Sequence, residues 1–268
     1  MRLLVVSAAA VLVVVIAAIA ILLVLVRLGT FASTPLGGDL ADARSDRPGM
    51  RVLFIGNSLT FENDMPGLLR RLVASDPSNR PLFAVRYSPG GYTLGKHSKN
   101  NTVRGLLDTV RWDDVVLQEN SNVASLDPVW RPPYMDAPAR DLVERIRGTG
   151  AQPMFFVTPG YRTGSGVGVF DTYGAMQDRL DLNYRAVAGE LAAPLAPVGP
   201  AWAEALGRRP GIALWQPDGV HPSVEGAYLN ACVFYAVLYH RTPSSSFTAG
   251  LARSDATFLQ RVAGSVVS

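Results

Sequence analysis

A chain of 268 residues, 48% hydrophobic and 18% charged, has room for one sizeable domain beside an apolar segment. Its 25 basic and 22 acidic residues leave a net charge of +3, with no run of five or six like charges, which excludes a nucleic-acid-binding tail. One cysteine, Cys232, excludes an intramolecular disulfide framework and a cysteine-based zinc site; within YLNACVFYAVLYH it reads as a small buried hydrophobe.

Leu3–Val26 is 24 residues without a charge. At 1.5 Å per residue a helix of that length reaches about 36 Å, more than the roughly 30 Å hydrocarbon core of a bilayer. The run is too long for the apolar region of a cleavable signal, and its exit, VRLGTFAS, is a poor cleavage site. Residues 1–27 are therefore expected to form a single transmembrane anchor in the cell membrane, with the following domain extracytoplasmic. Residues 28–50, rich in Gly, Pro, Asp and Ser, read as a flexible linker, and 51–268 as the folded domain.

Within that domain short apolar runs alternate with stretches of helical periodicity. Strands are predicted at 51–56, 82–87, 114–117, 153–157 and 194–198. Helices are predicted at 65–75, 137–147, 170–191 and 225–239. This alternation argues for an α/β domain with a mainly parallel, five-stranded sheet, whose chemistry would gather at the carboxyl ends of the strands.

Two segments carry chemistry. The first strand runs into Gly56-Asn57-Ser58-Leu59-Thr60. A serine between a buried strand and a helix can expose its hydroxyl while the helix start offers N–H groups to a developing oxyanion. The alternative is that Ser58 only caps the helix. The glycine-flanked nucleophile elbow is absent, because Thr60 stands at the second glycine position. Near the end, Trp215–Ser223 reads WQPDGVHPS. Asp218 and His221, three apart, can place a carboxylate on one ring nitrogen while the other faces a nucleophile. Of the two remaining histidines, His240 sits where it would cap a helix C-terminus, and His97 lies in a loop or lines a pocket.

Together these blocks resemble the SGNH (GDSL-like) hydrolase superfamily, over roughly residues 51–240. The resemblance is carried by GNSLT at the first strand, Ser88-Pro89-Gly90-Gly91 after the second, Gln118-Glu119-Asn120-Ser121 after the third, and DGVHPS before a late helix. It implies a three-layer α/β/α sandwich, flavodoxin-like, with Ser58, Asp218 and His221 as a catalytic triad. It also implies an oxyanion hole from Ser58, Gly91 and Asn120. Gly90 is the fallback for Gly91, and Asn122 and Gln118 are the rivals of Asn120, because LQENS departs from the family's glycine-x-asparagine-aspartate block. Gln118, His97 and Trp215 are candidate pocket residues. The implied function is a serine esterase acting, through an acyl-enzyme, on an O-acetyl or other short acyl group of a carbohydrate or small molecule, with no metal or cofactor. The alternatives are an O-acyltransferase acting on an envelope polymer and a non-catalytic carbohydrate-binding domain. Trp130, Tyr134, Tyr161, Trp202 and Trp215 could stack on sugar rings, ordinary packing being the alternative for each, and residues 160–170 could form a glycine-rich lid.

Overall fold

The protein is described by a computed structural model in which residues 34–165 and 170–267 are placed. The anchor expected at 1–27 lies outside the described residues, and the lid expected at 160–170 lies partly outside them. Among the described residues no helix is long and apolar enough to cross a membrane.

Among the described residues six strands make one sheet: β1 (Leu36–Gly38), β2 (Met50–Ile55), β3 (Leu82–Tyr87), β4 (Asp114–Leu117), β5 (Gln152–Phe156) and β6 (Leu195–Ala196), in the order β1-β3-β2-β4-β5-β6. Strands β2 to β6 are parallel; β1 is an antiparallel edge on β3. The five-stranded expectation is corrected by β1, which lies inside the segment read as a linker. Leu36-Gly37-Gly38 shows no alternation of side chains, because its pairing is made by backbone alone. Gly38 has φ +97, and a Cβ there would stand 2.1 Å from the Ala84 carbonyl oxygen, so the close pairing with β3 demands glycine. Residues 43–49 are then wound around Arg51, whose guanidinium donates to the carbonyls of Ala43, Gly49, Ser45 and Arg47. Folded structure thus begins well before residue 51.

The helices are α1 (Leu40–Ala43), α2 (Ser58–Phe61), α3 (Met65–Ala74), α4 (Leu94–His97), α5 (Asn101–Thr109), α6 (Ser121–Ala124), α7 (Ala137–Gly148), α8 (Tyr173–Glu190), α9 (Val198–Arg208), α10 (Val224–Tyr239) and α11 (Arg253–Val267). They cover both faces of the sheet. In β2, Val52 and Phe54 point into one core with α3, α9, α10 and α11, while Leu53 and Ile55 point into the other with α4, α5, α7 and α8. This is why β2 reads as an unbroken apolar run: a parallel strand sandwiched between helices has no wet face. Fully burying each such side chain contributes about 1.5–3 kcal/mol. Helices α5 and α11, absent from the sequence expectation, bury Val103, Leu106 and Leu107, and Leu259, Val262 and Ala263. Gly105 within α5 and the mixed composition of α11 weaken their helical signals.

Topology fixes where a site can form. β3 lies on one side of β2 and β4 on the other, so the right-handed crossovers put α3 on one face and α4–α5 on the opposite face. The chain therefore reverses its direction of travel between β2 and β4. Such a switch, at the carboxyl ends of the strands, is the position at which doubly wound sheets bind ligands in a crevice.

Candidate active site

Ser58 stands at that crevice, two residues past Gly56 at the end of β2. It is the first residue of α2. The cap is Asn57, whose Oδ1 accepts from the Leu59 N–H at 3.1 Å. The capping alternative for Ser58 is thereby corrected, and its hydroxyl is left for another partner. The turn is held from the neighbouring strand. Gln118, at the end of β4, accepts on Oε1 from the Asn57 N–H (2.8 Å) and the Thr60 hydroxyl (2.9 Å). Gly56 makes room for this contact, since a Cβ there would stand 2.4 Å from Thr60 Oγ1 and 2.5 Å from Gln118 Oε1.

Asp218 and His221 come from the turn before α10. A bridge between Trp215 and Pro222 closes the base of the turn, and Gly219, at φ +70, lets the chain reverse. Ser223, two residues past His221, caps α10 by accepting from the Gly226 N–H. Asp218 Oδ2 lies 2.6 Å from His221 Nδ1, and Oδ1 accepts from the N–H groups of Val220 and His221. With its Nδ1 proton engaged by Asp218, His221 has Nε2 free to accept, and the Ser58 Oγ lies 2.9 Å away. Burial alone would raise the Asp218 carboxyl. The hydrogen bonds from the His221 ring and the two backbone N–H groups outweigh it and hold the group below the usual carboxylate range. The two chain segments are also clamped directly: Gln216 Nε2 donates to Glu62 Oε2, and both Gln216 Nε2 and Asn63 Nδ2 donate to the Pro222 carbonyl.

The loop after β3 turns at Pro89–Tyr92, where the Tyr92 N–H donates to the Pro89 carbonyl. Gly91 is the third residue of that turn, at φ +66, the position that needs glycine. Gly90 has no positive φ, so of the two glycines Gly91 is the one whose backbone the turn singles out. The turn is tied to the serine by Asn57 Nδ2, which donates to the Tyr92 carbonyl at 2.9 Å. Asn120 begins the loop after β4 and caps α6: its Oδ1 accepts from the Asn122 N–H, which leaves the Nδ2 group as its donor end. Asn122 is exposed.

Two candidates occupy other places than expected. Gln118 is completely buried, and its Nε2 donates to the Glu119 carbonyl. It supports the Ser58 turn from below, its side chain engaged at both ends. His97 is also completely buried, with Nε2 2.8 Å from the Gly56 carbonyl oxygen. Burial pushes its pKa down to about 4, against the hydrogen bond to Gly56, so it is a neutral post under the β2 loop. Trp215 is half-buried, packed between Tyr173 and Trp202, with Nε1 donating to the Gly160 carbonyl. Trp202 is buried in the core and donates to Asn230 Oδ1, so it cannot stack on a sugar; Trp130 and Tyr134 are exposed. His240 ends α10 in the left-handed conformation, and Cys232 is buried, its thiol pushed up by burial. Among the described residues no cluster of His, Cys, Asp and Glu could hold a metal ion.

Glu119, which no motif marks, is a fully buried acid whose carboxyl bridges the β3 and β4 loops. Its signal in the sequence is an acidic residue two positions past an apolar strand.

No protein-family profile matches the sequence, and a comparison with curated proteins finds no match. Solved structures do match. A Slackia heliotrinireducens protein assigned to the SGNH hydrolases is 29% identical, with a TM-score of 0.57 over 71% of this chain and 99% of that one. A DUF4886 family protein from Bacteroides uniformis is 19% identical, with a TM-score of 0.69 over 82% and 95%. A catalytic mutant of an acetylxylan esterase from Geobacillus stearothermophilus is 18% identical, with a TM-score of 0.54 over 70% and 93%. Sheet order and helix placement define the class as a three-layer α/β fold with a mainly parallel sheet, the fold of these hydrolases. Within that fold the chain is similar to solved structures of SGNH hydrolases.

Proposed function

We propose that this protein is a serine esterase that removes an O-acetyl or other short acyl group from a carbohydrate or small molecule. One observation carries the reading: the unbroken chain Asp218–His221–Ser58, with contacts of 2.6 and 2.9 Å, at the crevice between β2 and β4.

In this mechanism His221 Nε2 takes the Ser58 proton as Oγ attacks the ester carbonyl. Asp218 holds the ring in the required tautomer and stabilises the imidazolium. The tetrahedral oxyanion is met by the N–H groups of Ser58 and Gly91 and by Asn120 Nδ2. His221 then protonates the departing alkoxide, leaving the acyl group on Ser58. A water molecule deprotonated by His221 releases the acid and restores the serine. Each donor to the oxyanion carries about 10²–10³ in turnover. The fold shared with an acetylxylan esterase is compatible with a short acyl ester on a carbohydrate. The reading includes tethering to the cell membrane through Leu3–Val26, with the domain outside the cytoplasm; the length and apolarity of that run support it.

The test is hydrolysis of p-nitrophenyl acetate and butyrate by residues 30–268, which contain all six strands and both cores, beside Ser58→Ala. Turnover lost in the variant supports a serine esterase. Equal turnover in the two proteins, or none in either, overturns it.

A further inference from the structure

Glu119 is the most costly side chain near the crevice. It is completely buried and enters no ion pair among the described residues. Burial pushes its carboxyl up to about 8, with the N–H groups of Asn120 and Leu94 pulling the other way. A buried acid without a cation is expensive, and an apolar residue of similar volume would be cheaper for the core.

Its geometry shows what the expense secures. Oε1 accepts from the N–H of Asn120 at 2.5 Å, and Oε2 accepts from the N–H of Leu94 at 3.1 Å, 25 residues earlier in the chain. One carboxyl group therefore spans two segments that leave different strands. The Glu119 backbone is itself pinned: its N–H donates to Tyr184 Oη, a fully buried side chain of α8. Asn120 presents its donor from one of the spanned loops. Gly91, three residues before Leu94, presents its N–H from the other. No other side-chain bond in this region joins these two loops among the described residues; Asn57 ties the Gly91 loop to Ser58, and Gln118 ties Ser58 to β4.

We propose that Glu119 is a positioning residue that sets the distance between Gly91 and Asn120, the two outer donors of the oxyanion hole. This rests on the esterase reading above. Glu119 acts through its neighbours and does not touch substrate. Its removal should weaken stabilisation of the transition state and leave ground-state binding and the fold largely as they were.

The experiment compares the parent with Ser58→Ala, Glu119→Gln and Glu119→Met in p-nitrophenyl acetate hydrolysis, reading kcat and KM separately, together with thermal unfolding. Glutamine keeps one accepting oxygen and the shape; methionine keeps the length and removes both acceptors. Losing a whole oxyanion donor costs about 10²–10³, so a displaced pair should lower kcat by about ten- to a hundredfold in Glu119→Met. The loss should be smaller in Glu119→Gln, with KM within about threefold of the parent in both. If Glu119→Met does not fold, the Glu119→Gln kcat decides. A kcat within twofold of the parent in the variants that fold overturns the proposal. So does a joint collapse of kcat, KM and melting temperature in both, which marks a merely structural role. Turnover that survives Ser58→Ala overturns the esterase reading, and this inference with it, in a way that the Glu119 variants alone could not produce.

Discussion

Gln118 Oε1 lies 2.8 Å from the Asn57 backbone nitrogen and 2.9 Å from the Thr60 hydroxyl, so the end of β4 holds the turn that presents Ser58. Both donors sit in a buried environment where water cannot replace the lost acceptor. Gln118→Leu should therefore destabilise the protein by about 1–3 kcal/mol for each donor left unpaired, at the upper end if both are. Turnover should fall as well, because the Ser58 hydroxyl loses its fixed approach to His221. Urea unfolding and kcat on the same samples check this; unchanged stability would show that the turn holds itself.

Asn57 connects the same turn forwards and sideways. Its Oδ1 caps α2, and its Nδ2 holds the Tyr92 carbonyl beside Gly91. Asn57→Ala should cost about 0.5–2 kcal/mol for the cap alone. Its kcat should fall further than that loss suggests, since the serine and Gly91 lose their common tie. A variant with normal kcat and only reduced stability would confine Asn57 to capping.

Asp218→Asn should lower kcat by about 10⁴, as for the equivalent change in a serine-protease triad, with a small effect on KM. The physical reason is tautomeric: the amide can turn its NH₂ toward Nδ1, which moves the ring proton to Nε2, where it blocks acceptance from Ser58. Steady-state kinetics at neutral pH decide it, and a loss below tenfold would leave Asp218 as a turn residue.

The pH dependence of stability has a worked sign. Glu119 is pushed up to about 8 and Asp114 to about 6, both chiefly by burial, from ordinary values of 4.5 and 3.8. Between the unfolded and folded values the native state holds protons that the unfolded chain has released. Stability therefore falls as pH rises through those windows. Asp114 contributes to the slope only up to about pH 6, whereas Glu119 contributes up to about pH 8. Glu119→Gln should abolish the fall between pH 6 and 8 and leave only the Asp114 share below pH 6. Melting temperatures at pH 5, 6, 7 and 8 provide the check, and an unchanged upper slope would refute the assignment to Glu119.

Much of the architecture is legible in the chain because it is written in local patterns. Val52–Ile55 and Asp114–Leu117 read as strands through their apolar runs, and α3, α7, α8 and α10 through their periodicity. Ser58, Asp218 and His221 stand out because they fall at strand ends and helix starts, where the backbone exposes them. β1 was illegible because two glycines pair through backbone alone, and α5 because Gly105 interrupts its pattern.

The sequence by itself determined the alternation of strands and helices, and so the class of fold, along with the residue types that could carry acyl chemistry. Only the tertiary structure decided which of those residues meet. Ser58 and His221 are 163 positions apart, and their 2.9 Å contact follows from the packing of α10 in one core with β2 and α3, beside the turn that carries Ser58. Burial turned Gln118 and His97 into supports and set the Glu119 carboxyl between two loops. Burial and long-range hydrogen bonds arise from chain crossings, and local spacing carries no record of them.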